Sequence, residues 1–185
     1  MTKLKFIEDE FISSAICGAF QRAKVYADAK SDNDPNRKKL QTRLAALLRD
    51  LKAQYKNTVV SDQEHIENIE RIADVLTEEF EKCGILNKNR FRIGIAQKVL
   101  NLYLKYLWCA GEIKTPPHCP FDYGIIARLP LSDKQKQDLQ WTKLDKIEDY
   151  QALVDAARTK IATTQHASLS DWELGEWNKS RNLNS

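Results

Sequence analysis

The strongly polar residues of one otherwise apolar segment are the first candidates for chemistry. Within residues 93–110, Gln97, Lys98, Asn101 and Lys105 (the polar stripe) stand among aliphatic and aromatic residues. Their spacing places all four on one face of a predicted helix. In a cleft with apolar walls, a lysine is a usable nucleophile or base, and the amides beside it can read the polar edge of a ligand. Alternatively, the lysines extend to the surface while the amides bond to nearby backbone groups.

The loop that follows this helix, PPHCPFD, carries three more candidate side chains: His118, Cys119 and Asp122. Its three prolines exclude a helix, and Asp122 stands where an N-cap residue would begin the next one. Free backbone N–H groups and the helix dipole favour an ionised carboxylate at that position. Asp122 is therefore either a simple cap or a fixed carboxylate near the polar stripe.

A metal site is not favoured by this loop. Adjacent residues such as His118 and Cys119 seldom coordinate one ion together, and the chain has no C-x-x-C pair. Cys83, Cys109 or His65 would have to complete the ligand set from elsewhere. We therefore predict no metal ion and no cofactor.

The order of these residues resembles the core of the helix-hairpin-helix DNA glycosylases. The resemblance covers residues 90–129 and is carried by Lys98, by Pro120-Phe121-Asp122 and by a following segment that ends in Arg128-Leu129. Proteins of that family are all-α DNA repair enzymes that flip a base out of the duplex. They place a catalytic aspartate at a helix N-terminus, and their bifunctional members use a nucleophilic lysine.

The resemblance implies roles for individual residues of this chain. Asp122 would be the catalytic carboxylate and Lys98 the nucleophile. Tyr103, Trp108 or Trp141 would stack on a base. The full set of expected binding residues is Gln97, Asn101, Lys105, His118 and Tyr103 for the substrate, and Lys88, Arg90, Arg92 and Arg128 for nucleic acid.

Charge is distributed unevenly, although the formal net charge is only +3. Residues 1–60 carry twelve basic and seven acidic side chains, and residues 88–128 carry seven basic and two acidic. Between them, residues 61–87 carry two basic and eight acidic side chains. Two basic regions could form a positive face for a polyanion such as DNA, or the charges could simply cover solvated helix faces.

The pattern along the chain predicts an all-α fold, a single multi-helix domain of about six to eight helices around the central apolar helix 93–110. Apolar residues recur at helical spacing in each predicted helix, and caps mark several of the starts. A domain over residues 1–170 is expected to be followed by a short C-terminal helix and frayed tail, 171–185, opened by a capping box from Ser170 to Glu173. The predicted helices are 6–29, 35–55, 62–83, 93–110, 123–129, a short one after Ser132, 147–161 and the C-terminal one.

The composition indicates the cellular compartment of the protein and the redox state of its cysteines. Four cysteines without paired spacing, no apolar leader and no apolar run of membrane-spanning length predict a cytoplasmic protein with reduced thiols and no membrane contact.

Two other functions remain open from the sequence. The chain could be a non-enzymatic interaction module or homodimer, using the acidic helix 62–83 or an exposed apolar patch at Trp172 and Trp177. It could also hold a small molecule inside the helical bundle, with Gln97 and Asn101 as specificity groups.

Overall fold

The structure, a computed structural model, describes residues 2–27 and 33–181 and confirms the all-α prediction. No strand forms within these ranges, where the only extended pairing is an isolated antiparallel bridge between Tyr26 and Leu86. Two single-turn 3-10 helices, Glu81–Cys83 and Asn87–Asn89, lie between the third and fourth α-helices. The α-helices in the described ranges are α1 (Lys3–Phe20), α2 (Pro35–Asn57), α3 (Asp62–Phe80), α4 (Ile93–Cys109), α5 (Tyr123–Ile126), α6 (Asp133–Asp138), α7 (Ile147–Ile161) and α8 (Leu169–Ser180).

Helix α4 is the centre of the fold, as its composition predicts. Thirteen of its 17 residues are buried. It contacts α1, α2, α3 and α7. A helix with apolar residues on nearly all sides must be surrounded, because each large apolar side chain left in water costs about 1.5–3 kcal/mol.

Several helix starts are set by the predicted caps. The Asp34 side chain accepts a hydrogen bond from the Asn36 N–H, and Pro35 occupies the first position of α2. Ser61 and Glu64 form a capping box at the start of α3. Asp122 caps α5 by accepting from the Ile125 N–H at 3.0 Å. These local signals explain why the starts of α2, α3 and α5 agree with prediction.

The first helix ends earlier than predicted. It stops at Phe20 rather than near Ala29, a residue that lies outside the described ranges. The chain instead turns to lie along residues 85–87, where the Ala27 N–H donates to the Ile85 carbonyl at 3.0 Å and the Asn87 N–H donates to the Val25 carbonyl at 2.9 Å. Pairing between distant segments therefore outweighs the helical pattern of this stretch.

The C-terminal helix also differs from its prediction. Helix α8 begins at Leu169, and Ser168 rather than Ser170 is the N-cap, accepting from the Asp171 N–H at 3.1 Å. Ser170 is buried and its hydroxyl donates to the carbonyl groups of Pro116 and His118, which ties α8 to the proline loop. The expected frayed tail is only partly described, since the helix continues to Ser180 and residues 182–185 lie outside the described ranges.

The short helix α5 ends at Ile126 instead of continuing to Leu129, and turns lead from it to Pro130. Among the described residues, no helix combines the length and the apolar character that a membrane crossing requires.

Candidate functional site

The four residues of the polar stripe divide between two environments. Because each helical residue turns the chain by about 100°, Lys98 and Lys105 lie within about 20° of each other, whereas Gln97 and Asn101 are rotated from Lys98 by about 100° and 60°. The two lysines line a surface cleft. The two amides point into the interior and are almost completely buried.

The cleft lies beside α4 and is enclosed by the end of α1, the start of α5, the segment around Trp141 and helix α8. Its volume is about 530 Å³. The proline loop positions α5, and Ser170 fixes the start of α8 against that loop. Two ion pairs cross the cleft, each joining a lysine of α4 to a carboxylate from a different element.

The first ion pair joins Lys98 to Asp122, and both residues line the cleft. Lys98 Nζ donates to Asp122 Oδ2 at 2.9 Å, and the Lys98 side chain is only 7% exposed. The Lys98 ammonium also lies 5.8 Å from the centre of the Trp141 ring. Burial acts to raise the pKa of Asp122, but Lys98 and the backbone N–H groups of Ile125 and Gly124 outweigh it and hold that pKa below its usual value. The carboxylate is therefore ionised at neutral pH.

The second ion pair joins Lys105 to Glu173, a residue that the sequence pattern assigned to a capping box with Ser170 and not to a site. Lys105 Nζ lies 3.0 Å from Oε1 and 2.7 Å from Oε2 of Glu173, and it donates its hydrogen bond to Oε1. Both side chains are buried. Burial raises the pKa of Glu173, although Lys105 opposes the shift. The cleft thus contains two ion pairs, and the carboxylate of the Lys105–Glu173 pair is more buried than that of the Lys98–Asp122 pair.

Aromatic rings form much of the mouth of the cleft. Two cations lie near Trp177, with the Lys105 ammonium 5.0 Å and the Arg181 guanidinium 4.5 Å from the centre of its ring. Tyr123 is 39% exposed, and its ring centre lies 6.1 Å from that of Trp141. Tyr123 and Trp177, which is 37% exposed, are therefore the two well-exposed aromatic residues of the cleft.

The buried amides of α4 belong to a hydrogen-bond network whose direction is fixed by the backbone. Gln97 Nε2 donates to the Phe121 carbonyl at 2.9 Å, and Gln97 Oε1 accepts from the Phe121 N–H at 3.2 Å. Asn101 must therefore direct its NH₂ group to Gln97 Oε1 and to the Tyr150 hydroxyl. This orientation leaves Asn101 Oδ1 as the acceptor for His65 Nε2, 2.9 Å away.

Two neutral histidines continue this network. Since His65 Nε2 donates, its Nδ1 accepts from the Tyr55 hydroxyl at 2.7 Å. The Tyr150 hydroxyl donates to His118 Nδ1 at 2.8 Å, and the protonated His118 Nε2 faces Asp62 Oδ1 at 3.2 Å. Burial lowers the pKa of His65 well below its usual value, and burial together with Arg158 lowers the pKa of His118 to about 3. Both rings are uncharged at neutral pH.

Four of the five predicted substrate-binding residues are not at the cleft. Gln97, Asn101 and His118 are at most 1% exposed and hydrogen-bond within the core. Tyr103 is also buried, and its hydroxyl donates to Glu8 at 2.9 Å. Lys105 is the member of this set that lines the cleft. The helical spacing of the polar residues predicted the polar face of α4, but it did not predict which part of that face is exposed to solvent.

The predicted nucleic-acid-binding residues also lie outside the cleft. Arg92 is buried and donates to the carbonyl groups of Ala23 and Lys24, so its role is to hold the end of the α1 segment. Arg90 pairs with Asp145, Lys88 is exposed, and Arg128 connects α5 to α8 through Glu176. The cleft is instead bordered by Arg22 and Arg181. No local sequence signal places these two arginines or Glu173 at the cleft, because each reaches it through long-range packing.

The prediction of an exposed apolar patch at Trp172 and Trp177 is wrong for Trp172. Trp172 is 1% exposed and belongs to the core, because the start of α8 packs against the body of the protein. Trp177 is 37% exposed but carries cations near its ring. Within the described residues, no group of three or more His, Cys, Asp or Glu side chains is arranged to hold a metal ion.

Comparisons of the chain with protein-family models, with curated proteins and with solved structures found no match.

Proposed function

We propose that this protein binds DNA and that its cleft receives one nucleotide displaced from the duplex, as in a base-excision enzyme. The observation that carries the proposal is the ion pair between Lys98 and Asp122 in an open cleft, 2.9 Å between Nζ and Oδ2. An ionised carboxylate can stabilise the charge that develops on the sugar when an N-glycosidic bond breaks, and a lysine beside it can supply an amine nucleophile.

Asp122 would act through its charge. Breaking the bond between a base and deoxyribose develops positive charge on the sugar, and a fixed carboxylate stabilises that charge in the transition state. The hydrogen bond from the Ile125 N–H holds Asp122 in place before the substrate arrives. The lowered pKa keeps the carboxylate ionised at neutral pH.

Lys98 would be the nucleophile if the enzyme also cleaves the strand. The paired ammonium must first lose a proton to the substrate or to water. The neutral amine then attacks C1′ of the sugar, and the C1′–base bond breaks with its electron pair leaving on the base, which takes up a proton. Opening of the sugar ring gives a Schiff base between Lys98 and C1′, which borohydride reduces to a stable adduct.

The size and lining of the cleft support a nucleotide as ligand. A volume of about 530 Å³ lies within the range of roughly 300–1,000 Å³ that is typical of small-ligand sites. Tyr123 offers an exposed ring at the mouth, and stacking between a base and an aromatic ring contributes about 1–3 kcal/mol.

The experiment is a gel-shift and cleavage screen against single-stranded, duplex and lesion-bearing DNA. It compares the wild type with Asp122→Asn and Lys98→Met, a substitution that keeps side-chain length while removing the amine. Asp122→Asn is expected to slow base release by about 100-fold or more, and Lys98→Met is expected to abolish borohydride trapping. Circular dichroism verifies that each variant is folded.

Matched controls are Lys82→Ala and Asp155→Asn, which remove the same charges at exposed positions that do not line the cleft. Both should cleave like the wild type. If the wild type neither retards nor cleaves any of these DNAs, or if the cleft variants behave like the controls, the proposal is wrong.

A further inference from the structure

The charges that line the cleft do not balance. Four cationic side chains, Lys98, Lys105, Arg22 and Arg181, face two carboxylates, Asp122 and Glu173. Each lysine is paired with one of the carboxylates at ion-pair distance. The two pairs nearly cancel in the electrostatic field that a ligand meets, so the surplus positive charge of the cleft comes from the two arginines.

Arg22 and Arg181 are exposed and lie at the mouth. Neither has a carboxylate partner at ion-pair distance among residues 2–27 and 33–181, unlike Arg90 and Arg128, which pair with Asp145 and Glu176. They come from opposite ends of the chain, Arg22 following α1 and Arg181 closing α8. Two unpaired guanidinium groups at one opening can approach an anion from two sides.

Arg181 lies against an aromatic ring at the mouth of the cleft. Its guanidinium lies 4.5 Å from the centre of the Trp177 ring, and the Lys105 ammonium lies 5.0 Å from the same centre. A side chain that stacks on a ring loses less conformational freedom when it binds a ligand, and its planar N–H groups match phosphate oxygens in a two-point geometry. Each lysine already has a carboxylate partner that it would have to share with an anion, and for Lys105 that partner is the buried Glu173, whose separation from its cation is costly.

We propose that Arg22 and Arg181 form a phosphate subsite at the mouth of the cleft, so that the smallest ligand is a nucleoside monophosphate rather than a base or a nucleoside. The nucleoside part of this inference rests on the proposed function. The phosphate would lie between the arginines, and the base would extend past Tyr123 toward Lys98 and Asp122.

The test is isothermal titration calorimetry of the full chain with the four 2′-deoxynucleoside 5′-monophosphates and with the four matching nucleosides. At least one monophosphate should bind about tenfold or more tightly than its nucleoside, since hydrogen bonds to charged groups contribute about 1.5–3 kcal/mol. Arg22→Gln and Arg181→Gln should each weaken monophosphate binding toward the nucleoside value while leaving nucleoside binding unchanged. Arg71→Gln, an exposed position on α3 outside the cleft, is the control and should bind like the wild type.

Each result decides for or against the subsite. Equal affinity for monophosphates and nucleosides, no binding of either, or monophosphate affinity that is insensitive to both arginine variants overturns it. Cleavage of DNA in the absence of any phosphate preference would remove the subsite and leave the base-excision proposal standing. A phosphate preference that depends on the arginines, without DNA cleavage, would retain the subsite and remove the base-excision proposal.

Discussion

Asn101 is the residue on which the buried network depends. It accepts from His65 Nε2 and donates to the Tyr150 hydroxyl, and it is 1% exposed. A buried polar group that loses its partner costs about 1–3 kcal/mol, because no water replaces the bond.

We therefore expect Asn101→Leu, a change that keeps side-chain shape, to lower the free energy of unfolding by at least about 1–3 kcal/mol, since the His65 N–H loses its acceptor. Urea denaturation followed by circular dichroism measures the change. Gln63→Leu on the exposed face of α3 is the comparison and should stay within about 0.5 kcal/mol of the wild type. Equal stability of the Asn101 variant and the wild type would contradict a structural role for the network.

At the scale of single residues, the sequence pointed to Lys98 and Asp122 but not to Glu173 and Arg181. Lys98 and Asp122 could be singled out because both signals are local, a polar position on an apolar helix and an aspartate at an N-cap after proline, although no local signal predicts the ion pair between them. Glu173 and Arg181 were missed because they reach α4 from residues more than sixty positions away, and no spacing rule relates such positions. The burial of Asn101 and His118 was missed for the same reason, since their partners lie on α3 and α7.

Among the secondary-structure elements, the start of α4 and the segment that carries Trp141 form a close contact. The Gly94 N–H donates to the Leu144 carbonyl at 2.8 Å. A Cβ atom added at Gly94 would lie 1.8 Å from the Trp141 carbonyl oxygen, which belongs to the backbone and cannot rotate away. The glycine thus allows the cleft wall to approach the helix that bears Lys98.

Gly94→Ala is accordingly expected to displace residues 141–144 and to destabilise the protein by about 1–3 kcal/mol or more, the usual cost of overpacking. Thermal unfolding measures the loss, and a shift in tryptophan fluorescence reports the displaced ring. Gly175→Ala provides the contrast inside another helix, because its added Cβ meets only the side chain of His166 at 3.1 Å. For Gly175→Ala we expect the free energy of unfolding to be unchanged or to rise by up to about 1 kcal/mol, because alanine has the higher helix propensity. Equal behaviour of the two variants would argue against the close approach.

The elements themselves were largely predictable, and the exceptions are instructive. Helices α2 and α3 follow from apolar periodicity together with caps, which act within a few residues, and α4 and α7 follow from apolar periodicity without a side-chain cap at their starts. The end of α1 was wrong because Lys24, at φ 43°, turns the chain into the pairing with residues 85–87. The cap of α8 was wrong because Ser170 bonds to the carbonyl groups of another segment, and a capping pattern does not reveal such a competitor.

For the whole molecule, the two neutral histidines make stability depend on pH. In the unfolded chain a histidine takes up a proton near pH 6.5, whereas in the folded protein the pKa of His65 is well below that value and the pKa of His118 is about 3. Between these limits the unfolded state binds more protons than the folded state. Stability is therefore fully present above about pH 6.5 and falls as the pH is lowered through this window.

We expect the free energy of unfolding to fall by up to about 1.4 kcal/mol per pH unit for each histidine below pH 6.5. The raised pKa of Glu173 opposes this loss where that carboxylate titrates, because the folded state then takes up a proton first. Urea denaturation at half-unit steps from pH 8 to pH 4 gives the profile. His118→Gln should show a shallower slope, and an unchanged slope in that variant would exclude His118 as a source of the acid sensitivity.

The hydrogen bonds that begin at the Phe121 backbone have a further consequence. Each group in the series from Gln97 to His118 has its donor and acceptor sides assigned by the group before it. Reversing a bond in this series would require another buried side chain or a histidine tautomer to change with it. The interior therefore has a single polar arrangement instead of two of similar energy that exchange, and this uniqueness fixes the rotation of α4 that directs Lys98 and Lys105 outward.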